Sequence, residues 1–128
     1  MSPTDKRLLR GLWAGTVAVV ILGSLLPGTV LPGAGRFDKL LHVSGYAVVM
    51  LLPALHERWR AVLACLAGSI LLGLALELAQ VLSPGRFFEL ADVAANTWGA
   101  LLGLSAGAIL RPQVVPPSGN PSSLSGPS

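Results

Sequence analysis

The chain has 128 residues, of which 52% are hydrophobic and only 12% are charged. Ordinary soluble domains carry roughly 25% charged residues, so this composition argues against a soluble globular protein. The formal net charge of +3 includes no run of like charges, which gives little support to a nucleic-acid surface. The single cysteine, Cys65, excludes an internal disulfide and a cysteine-based zinc site.

Four apolar segments are separated by proline, glycine and charged residues, and we interpret them as four membrane-spanning helices. The predicted helices cover residues 8–26, 37–55, 61–82 and 91–110. The basic start of the first segment is also compatible with a signal peptide, but the nearest small-x-small triplet, Gly33-Ala34-Gly35, lies well past the apolar run. We therefore expect a retained helix. The predicted fold is all-α, an integral membrane four-helix antiparallel bundle over residues 1–111.

The C-terminal residues 112–128 differ sharply from the rest of the chain. They hold five of the ten prolines and no charged residue. Such a segment cannot bury enough apolar surface to offset the entropy lost on ordering. The sequence therefore predicts a disordered tail that is rich in proline, serine and glycine.

The basic residues are distributed unequally between the two predicted sides of the membrane. Because Lys and Arg are retained on the cytoplasmic side, the richer side predicts the orientation. We therefore expect both termini and the loop around Arg58 to be cytoplasmic, and the loops before the second and after the third helix to face outward. The richer side has Lys6, Arg7, Arg10, Arg58, Arg60 and Arg111, and the poorer side has Arg36, Lys39 and Arg86.

Polar residues gather at the ends of three predicted helices, at spacings of three or four residues that place them on one face of each helix. Since successive helices alternate in direction, these three ends meet on the outward side. Small residues at Gly99 and Gly103 let a neighbouring helix approach closely. We call the predicted cluster the polar cup; it consists of Asp38, Lys39, His42, Tyr46, Glu77, Gln80, Arg86, Asp92 and Asn96.

Ionisable residues within a bilayer are costly and usually mark a functional path, so we interpret the polar cup as a site. His42 is the predicted proton carrier or nucleophile, and Glu77 the predicted general base. With Asp92 they form the predicted catalytic group. The predicted substrate-binding residues are Asp38, Lys39, Tyr46, Gln80, Arg86 and Asn96.

Two other interpretations of these residues stay open. The charges nearly balance, as expected if they only pair and fix the helix register. Asp38 and His42 also have the spacing of metal ligands, but no established zinc pattern is present, and we predict neither a metal nor a cofactor. His56, beside Glu57 and Arg58, is expected to be a solvated loop histidine.

The chain resembles the VanZ-like family of small bacterial membrane proteins. The resemblance covers about residues 21–110 and includes all nine residues of the polar cup. It rests on Phe37-Asp38-Lys39-Leu40-Leu41-His42 with Tyr46, on Glu77-Leu78-Ala79-Gln80, and on Gly85-Arg86 followed by Asp92-Val93-Ala94-Ala95-Asn96-Thr97-Trp98-Gly99 and Gly103.

The resemblance implies a multi-pass protein of the bacterial inner membrane, in a family named for a protein that raises resistance to the glycopeptide antibiotic teicoplanin. An outward polar cup near the lipid headgroups suits a lipid or a lipid-linked glycan of the cell envelope. We expect an activity on such a partner. The alternative is a non-enzymatic binding or scaffold protein of the envelope, in which the cluster fixes helix packing.

Overall fold

A computed structural model of the protein describes residues 2–27 and 34–114, and for residues 34–36 it describes the backbone alone. These residues form four α-helices and no strand. The helices are α1 (Pro3–Leu25), α2 (Ala34–His56), α3 (Trp59–Gln80) and α4 (Leu90–Val114). All four are long and apolar enough to cross a membrane. The predicted all-α, four-helix membrane fold is confirmed.

The first helix begins before its apolar segment, at Pro3. The Ser2 hydroxyl accepts a hydrogen bond from the Asp5 backbone N–H at 3.1 Å, and the Asp5 carboxylate accepts one from the Ser2 backbone N–H at 2.8 Å. This reciprocal capping, with a proline at the first helical position, supplies a start that hydrophobicity alone does not reveal.

The last helix continues past the predicted end of its apolar segment and includes Pro112. A proline so close to a helix end removes one backbone hydrogen bond without interrupting the helix interior. Residues 115–128, which make up most of the predicted tail, lie outside the described residues, and their disorder stays a prediction.

Helices α2 and α4 form the tightly packed centre of the bundle. A Cβ atom added at Gly99 would collide with the Val43 carbonyl, and one added at Gly103 would collide with the Ala47 carbonyl. The contacts advance in the same direction along both helices, as expected for the second and fourth helices of a bundle whose successive members alternate. Glycine therefore allows backbone-to-backbone approach here, as predicted from Gly99 and Gly103.

Helix α1 lies at the periphery of the bundle. Among the described residues it contributes no buried side chain. It is attached by the Trp13 indole N–H, which donates to the Val49 carbonyl at 3.0 Å, and by Arg10, whose Nε lies 2.7 Å from Glu57 Oε1. The hydrophobic core of Tyr46, Met50, Ala54, Val62 and Ala100 comes from the other three helices.

His56 differs from its prediction. It is the last residue of α2 and is buried, and its Nδ1–H donates to the Leu52 carbonyl at 2.7 Å. The expectation of a solvated loop histidine is wrong, because the helix extends through His56 and the ring packs on the preceding turn. Its Nε2 lies 3.3 Å from Glu57 Oε1, at the end of the bundle opposite the polar cup.

Candidate functional site

The start of α2, the end of α3 and the start of α4 meet at one end of the bundle, where the polar cup was predicted. With a rise of about 1.5 Å per residue, His42 lies about 6 Å and Tyr46 about 12 Å deeper along α2 than Asp38. Asp38, Lys39 and Arg86 surround the opening, and the remaining side chains of the cup are buried: His42, Tyr46, Glu77, Gln80, Asp92 and Asn96.

His42 is at the centre of the polar cup. Its Nδ1–H donates a hydrogen bond to Asn96 Oδ1 at 2.8 Å, which joins α2 to α4. Glu77 Oε1 lies 3.8 Å from the same nitrogen, and Asp38 Oδ1 lies 3.7 Å from Nε2. Because Asn96 holds the proton on Nδ1, the Nε2 lone pair is directed toward the Asp38 side of the cup.

Glu77 and Tyr46 form the floor of the polar cup. Glu77 is 0% exposed, and neither of its carboxylate oxygens has a hydrogen-bond partner within the described residues. The Tyr46 hydroxyl, on a side chain 1% exposed, is likewise unpartnered there. Buried polar groups in proteins are nearly always hydrogen-bonded, so two unpartnered groups in one buried cluster require an explanation.

Gly73 makes room for this floor, although it was not among the predicted site residues. A Cβ at position 73 would lie 3.1 Å from Asn96 Nδ2 and 3.3 Å from the Tyr46 hydroxyl. Gly73 is four residues before Glu77 and therefore lies on the same face of α3. That spacing is the only sequence signal that could have identified it.

Lys39 links the opening of the polar cup to α4. Its Nζ lies 2.9 Å from Glu89 Oε2 and 3.2 Å from Asp92 Oδ1. The Lys39 ammonium holds the pKa of the exposed Glu89 carboxyl below its usual value. Glu89 was not among the predicted site residues, although its position directly before α4 was a usable signal.

Arg86 reaches the cup through a tight turn after α3. The Arg86 N–H donates to the Ser83 carbonyl at 3.2 Å, and Gly85 has a φ of 78°. A proline followed by a glycine with positive φ is the pattern of a type II turn. The Arg86 side chain is 10% exposed, its Nη1 lies 3.4 Å from Asp38 Oδ2, and its Nε has no partner within the described residues.

Gln80 is buried one turn beyond Glu77, but its hydrogen bond leads away from His42. Its side-chain Nε2–H donates to the Ser24 carbonyl near the end of α1 at 3.0 Å. The amide thereby links α3 to α1. Its predicted role in substrate binding stays a prediction.

Among the residues that the structure describes, Asp38, His42 and Asp92 form a group that could hold a metal ion. Each has one potential ligand atom, and these atoms lie within 4.8 Å of one another. However, Arg86 is placed against the Asp38 carboxylate and Lys39 against the Asp92 carboxylate. Two cations already compensate these acids, so we interpret the group as an ion-pair network.

An open cleft between α1 and α2 leads to the polar cup. Its volume is about 1070 Å³, and apolar side chains and glycines form most of its wall. Asp38, His42 and Arg86 line the same cleft. We call it the α1–α2 cleft. It gives His42 and Arg86 a common approach from the apolar part of the bundle.

Comparison with known proteins identifies one family. The family model described as VanZ/LLP1 matches residues 8–111, which include most of α1 and the whole polar cup. The match confirms the resemblance drawn from the motifs and extends it toward the N-terminus. No curated protein and no solved structure shows a significant match to the chain.

Proposed function

Because the chain belongs to the VanZ/LLP1 family, we propose that it is a bacterial inner-membrane protein that acts on a lipid or lipid-linked glycan of the cell envelope. The observation that carries the proposal is the fully buried Glu77, whose oxygens have no partner in the described structure although its carboxylate lies 3.8 Å from His42. A purely structural network would satisfy these oxygens, whereas active sites retain unfavourable groups for use in the reaction.

His42 provides the proton transfer in the proposed reaction. Asn96 holds Nδ1–H, so Nε2 accepts the proton of a water or hydroxyl that attacks the headgroup. The attack forms a bond from the nucleophile oxygen to the headgroup and breaks the bond from the headgroup to the leaving oxygen, and Nε2 returns the proton to that leaving oxygen. Glu77, beside Nδ1, stabilises the imidazolium between these two events.

The opening of the cup binds the anionic part of the substrate. Arg86 offers several N–H donors to a phosphate, and Lys39 adds a second positive charge. Asp38 orients Arg86, while Asp92 orients Lys39. Tyr46 supplies a hydroxyl at the floor of the cup.

The proposed site faces outward, and both termini are in the cytoplasm. Six basic residues on the side of the termini against three on the cup side support this orientation. An altered lipid or lipid-linked glycan in the outer leaflet would also change how a glycopeptide such as teicoplanin reaches its target. That relation to resistance is part of the proposal.

The test compares membrane lipids from cells that lack the protein with lipids from cells that carry the wild type, His42→Ala or His56→Ala. His56 is the matched control, because it is a buried histidine at the other end of α2. We expect the wild type and His56→Ala to produce the same change in lipid composition and His42→Ala to produce none, at equal amounts of membrane protein. A lipid profile that does not depend on the protein would refute the proposal.

A non-enzymatic binding or scaffold role is the second candidate. The contacts of Lys39 with Glu89 and Asp92, and of His42 with Asn96, favour it, because they join α2 to α4 as a packing network would. A binding protein would retain lipid binding in His42→Ala and lose it when Arg86 is replaced. A scaffold would lose thermal stability in both variants and bind no lipid.

A further inference from the structure

The α1–α2 cleft is long enough to hold an acyl chain. Its wall on α2 extends from Asp38 to Val48, about 15 Å at the helical rise per residue, and its wall on α1 extends further, from Arg7 to Leu26, about 28 Å. The hydrocarbon core of a membrane is about 30 Å thick, so one leaflet accounts for about 15 Å. The part of the cleft that both helices line therefore matches the depth of a single acyl chain whose headgroup lies at the level of Asp38.

Three glycines leave open space along the α1 wall of the cleft. Gly11, Gly15 and Gly23 line it, and no described atom lies within 4 Å of a Cβ built at any of them. By contrast, the backbone of α2 occupies the space beside Gly99 and Gly103 of α4. The α1 glycines thus leave space beside α2 that no described side chain occupies, and the surrounding residues make that space apolar.

The polar end of the cleft carries an incompletely satisfied cation. The Arg86 side chain is nine-tenths buried, its Nε has no partner within the described residues, and its contact with Asp38 is long at 3.4 Å. A guanidinium has five N–H donors, so most of its capacity remains for a ligand. Phosphate oxygens match that donor arrangement.

We propose that the α1–α2 cleft binds one acyl chain of a phosphate-bearing membrane lipid and that Arg86 binds its phosphate. This inference rests on the proposed function and specifies the substrate class as a lipid drawn from the leaflet on the Asp38 side. The lipid enters sideways between α1 and α2. Its headgroup then lies beside Nε2 of His42, which lines the same end of the cleft.

The test uses phosphatidylglycerol that carries a photoreactive diazirine at the middle of one acyl chain, in vesicles of digalactosyldiacylglycerol, a bilayer lipid without phosphate, with the full-length protein. After illumination, mass spectrometry locates the cross-linked residues. We expect the cross-links to concentrate on cleft residues such as Val19 and Leu41. A Gly15→Leu substitution fills the cleft and is expected to remove most of these cross-links.

Two further variants distinguish binding of the acyl chain from binding of the headgroup. Ala106→Leu is the matched control, since Ala106 is exposed on α4 away from the cleft, and it should leave the cross-links unchanged. Arg86→Gln should weaken the binding of the labelled phosphatidylglycerol by about tenfold, which is the loss expected when a charged hydrogen-bond donor is removed. It should have no effect on a diacylglycerol probe, which carries the same acyl chains without a phosphate, used at the same density.

Cross-links spread evenly over all four helices, or cross-links that survive Gly15→Leu, would overturn the proposal. The proposal would also be overturned if α1 of a second copy of the protein were found to occupy the cleft. If Gly15→Leu fails to fold, Val19→Trp is the second blocking variant, because Val19 is 70% exposed.

The failure of this inference can be distinguished from failure of the proposed function. Cleft cross-links together with an unchanged cellular lipid profile would support the proposed binding site and refute the proposed activity. A lipid profile that depends on His42, without cleft cross-links, would retain the activity and remove this binding site.

Discussion

Glu77 is the residue whose environment is hardest to reconcile with stability alone. It is fully buried, and its Oε1 lies 3.8 Å from Nδ1 of His42, beyond hydrogen-bond distance. An unpaired buried carboxylate costs free energy, since no partner replaces the water it has lost. A protein retains such a group when the function requires it.

We predict that Glu77→Gln unfolds at the same temperature as the wild type or a few degrees higher, because the amide keeps the shape and removes the charge. Asp92→Asn is the comparison and should unfold at a lower temperature, since it weakens the contact with Lys39. Thermal unfolding in detergent, followed by tryptophan fluorescence, measures both. A loss of several degrees in Glu77→Gln would instead identify its charge as a structural element.

The sequence predicted which residues would gather but not how each would be used. Spacings of three and four residues placed the polar groups on single faces, and alternating helix direction placed those faces at one end. The bond from Gln80 to Ser24 and the space at Gly73 depend on the rotation of α3 relative to its neighbours. Spacing within one helix contains no information on that rotation.

At the scale of helices, the contact between α2 and α4 determines the geometry of the polar cup. Gly99 lies one turn beyond Asn96, which receives the hydrogen bond from His42. The close backbone approach therefore sets the distance between the two sides of the site. The glycine spacing predicted a close contact, but only the structure identified α2 as the partner.

We predict that Gly103→Ala destabilises the protein by about 1–3 kcal/mol, the usual cost of overpacking, because its methyl group would meet the Ala47 backbone. The matched control is Gly68→Ala, which meets no described atom within 4 Å. It should be neutral or stabilise by up to about 1 kcal/mol through better helix propensity. Thermal unfolding of both variants side by side tests the difference, and equal behaviour would contradict the described packing.

The contact between Arg10 and Glu57 predicts a dependence of stability on pH. The Arg10 guanidinium holds the pKa of Glu57 below its usual value. A carboxyl with a lowered folded pKa stabilises the protein above its unfolded pKa, which is about 4.3, and this contribution is lost as the pH falls through the folded value.

We therefore expect the wild type to exceed Glu57→Gln in stability by about 0.2–1 kcal/mol at neutral pH, the range for exposed ion pairs. The difference should shrink once the pH falls below the ordinary glutamate value. Unfolding of both proteins across the acidic range measures it. A difference that stays constant with pH would show that the ionised pair is not its source.

At the scale of the whole molecule, charged residues mark two chemically different ends. One end has the contact of Arg10 with Glu57 and the guanidinium of Arg111 at 5.2 Å from the Trp59 ring. The other end has Lys39 and Arg86 with their carboxylates. The positions of the charged residues along the chain predicted this division, whereas the side of the membrane that each end faces rests on the count of basic residues.

We predict that Ser83→Cys, in a Cys65→Ser background, reacts with a membrane-impermeant maleimide in intact spheroplasts. Thr4→Cys at the opposite end should react only after permeabilisation. Both positions are outside the apolar core of the bundle, and Cys65 is replaced because it is the only native cysteine. The reverse pattern would place the polar cup on the cytoplasmic side and move the proposed substrate to the inner leaflet.

The pairing of α2 with α4 also affects how the protein is made. Lys39 and Glu89 are separated by 50 positions, and His42 and Asn96 by 54. The ribosome therefore delivers α2 to the bilayer before the residues that satisfy its polar groups have been synthesised. Without those partners, the polar turns of α2 are costly to keep in the hydrocarbon. Stable insertion of the second helix thus awaits translation of the fourth, and a truncated product that ends in the α3–α4 loop is a natural target for membrane proteases.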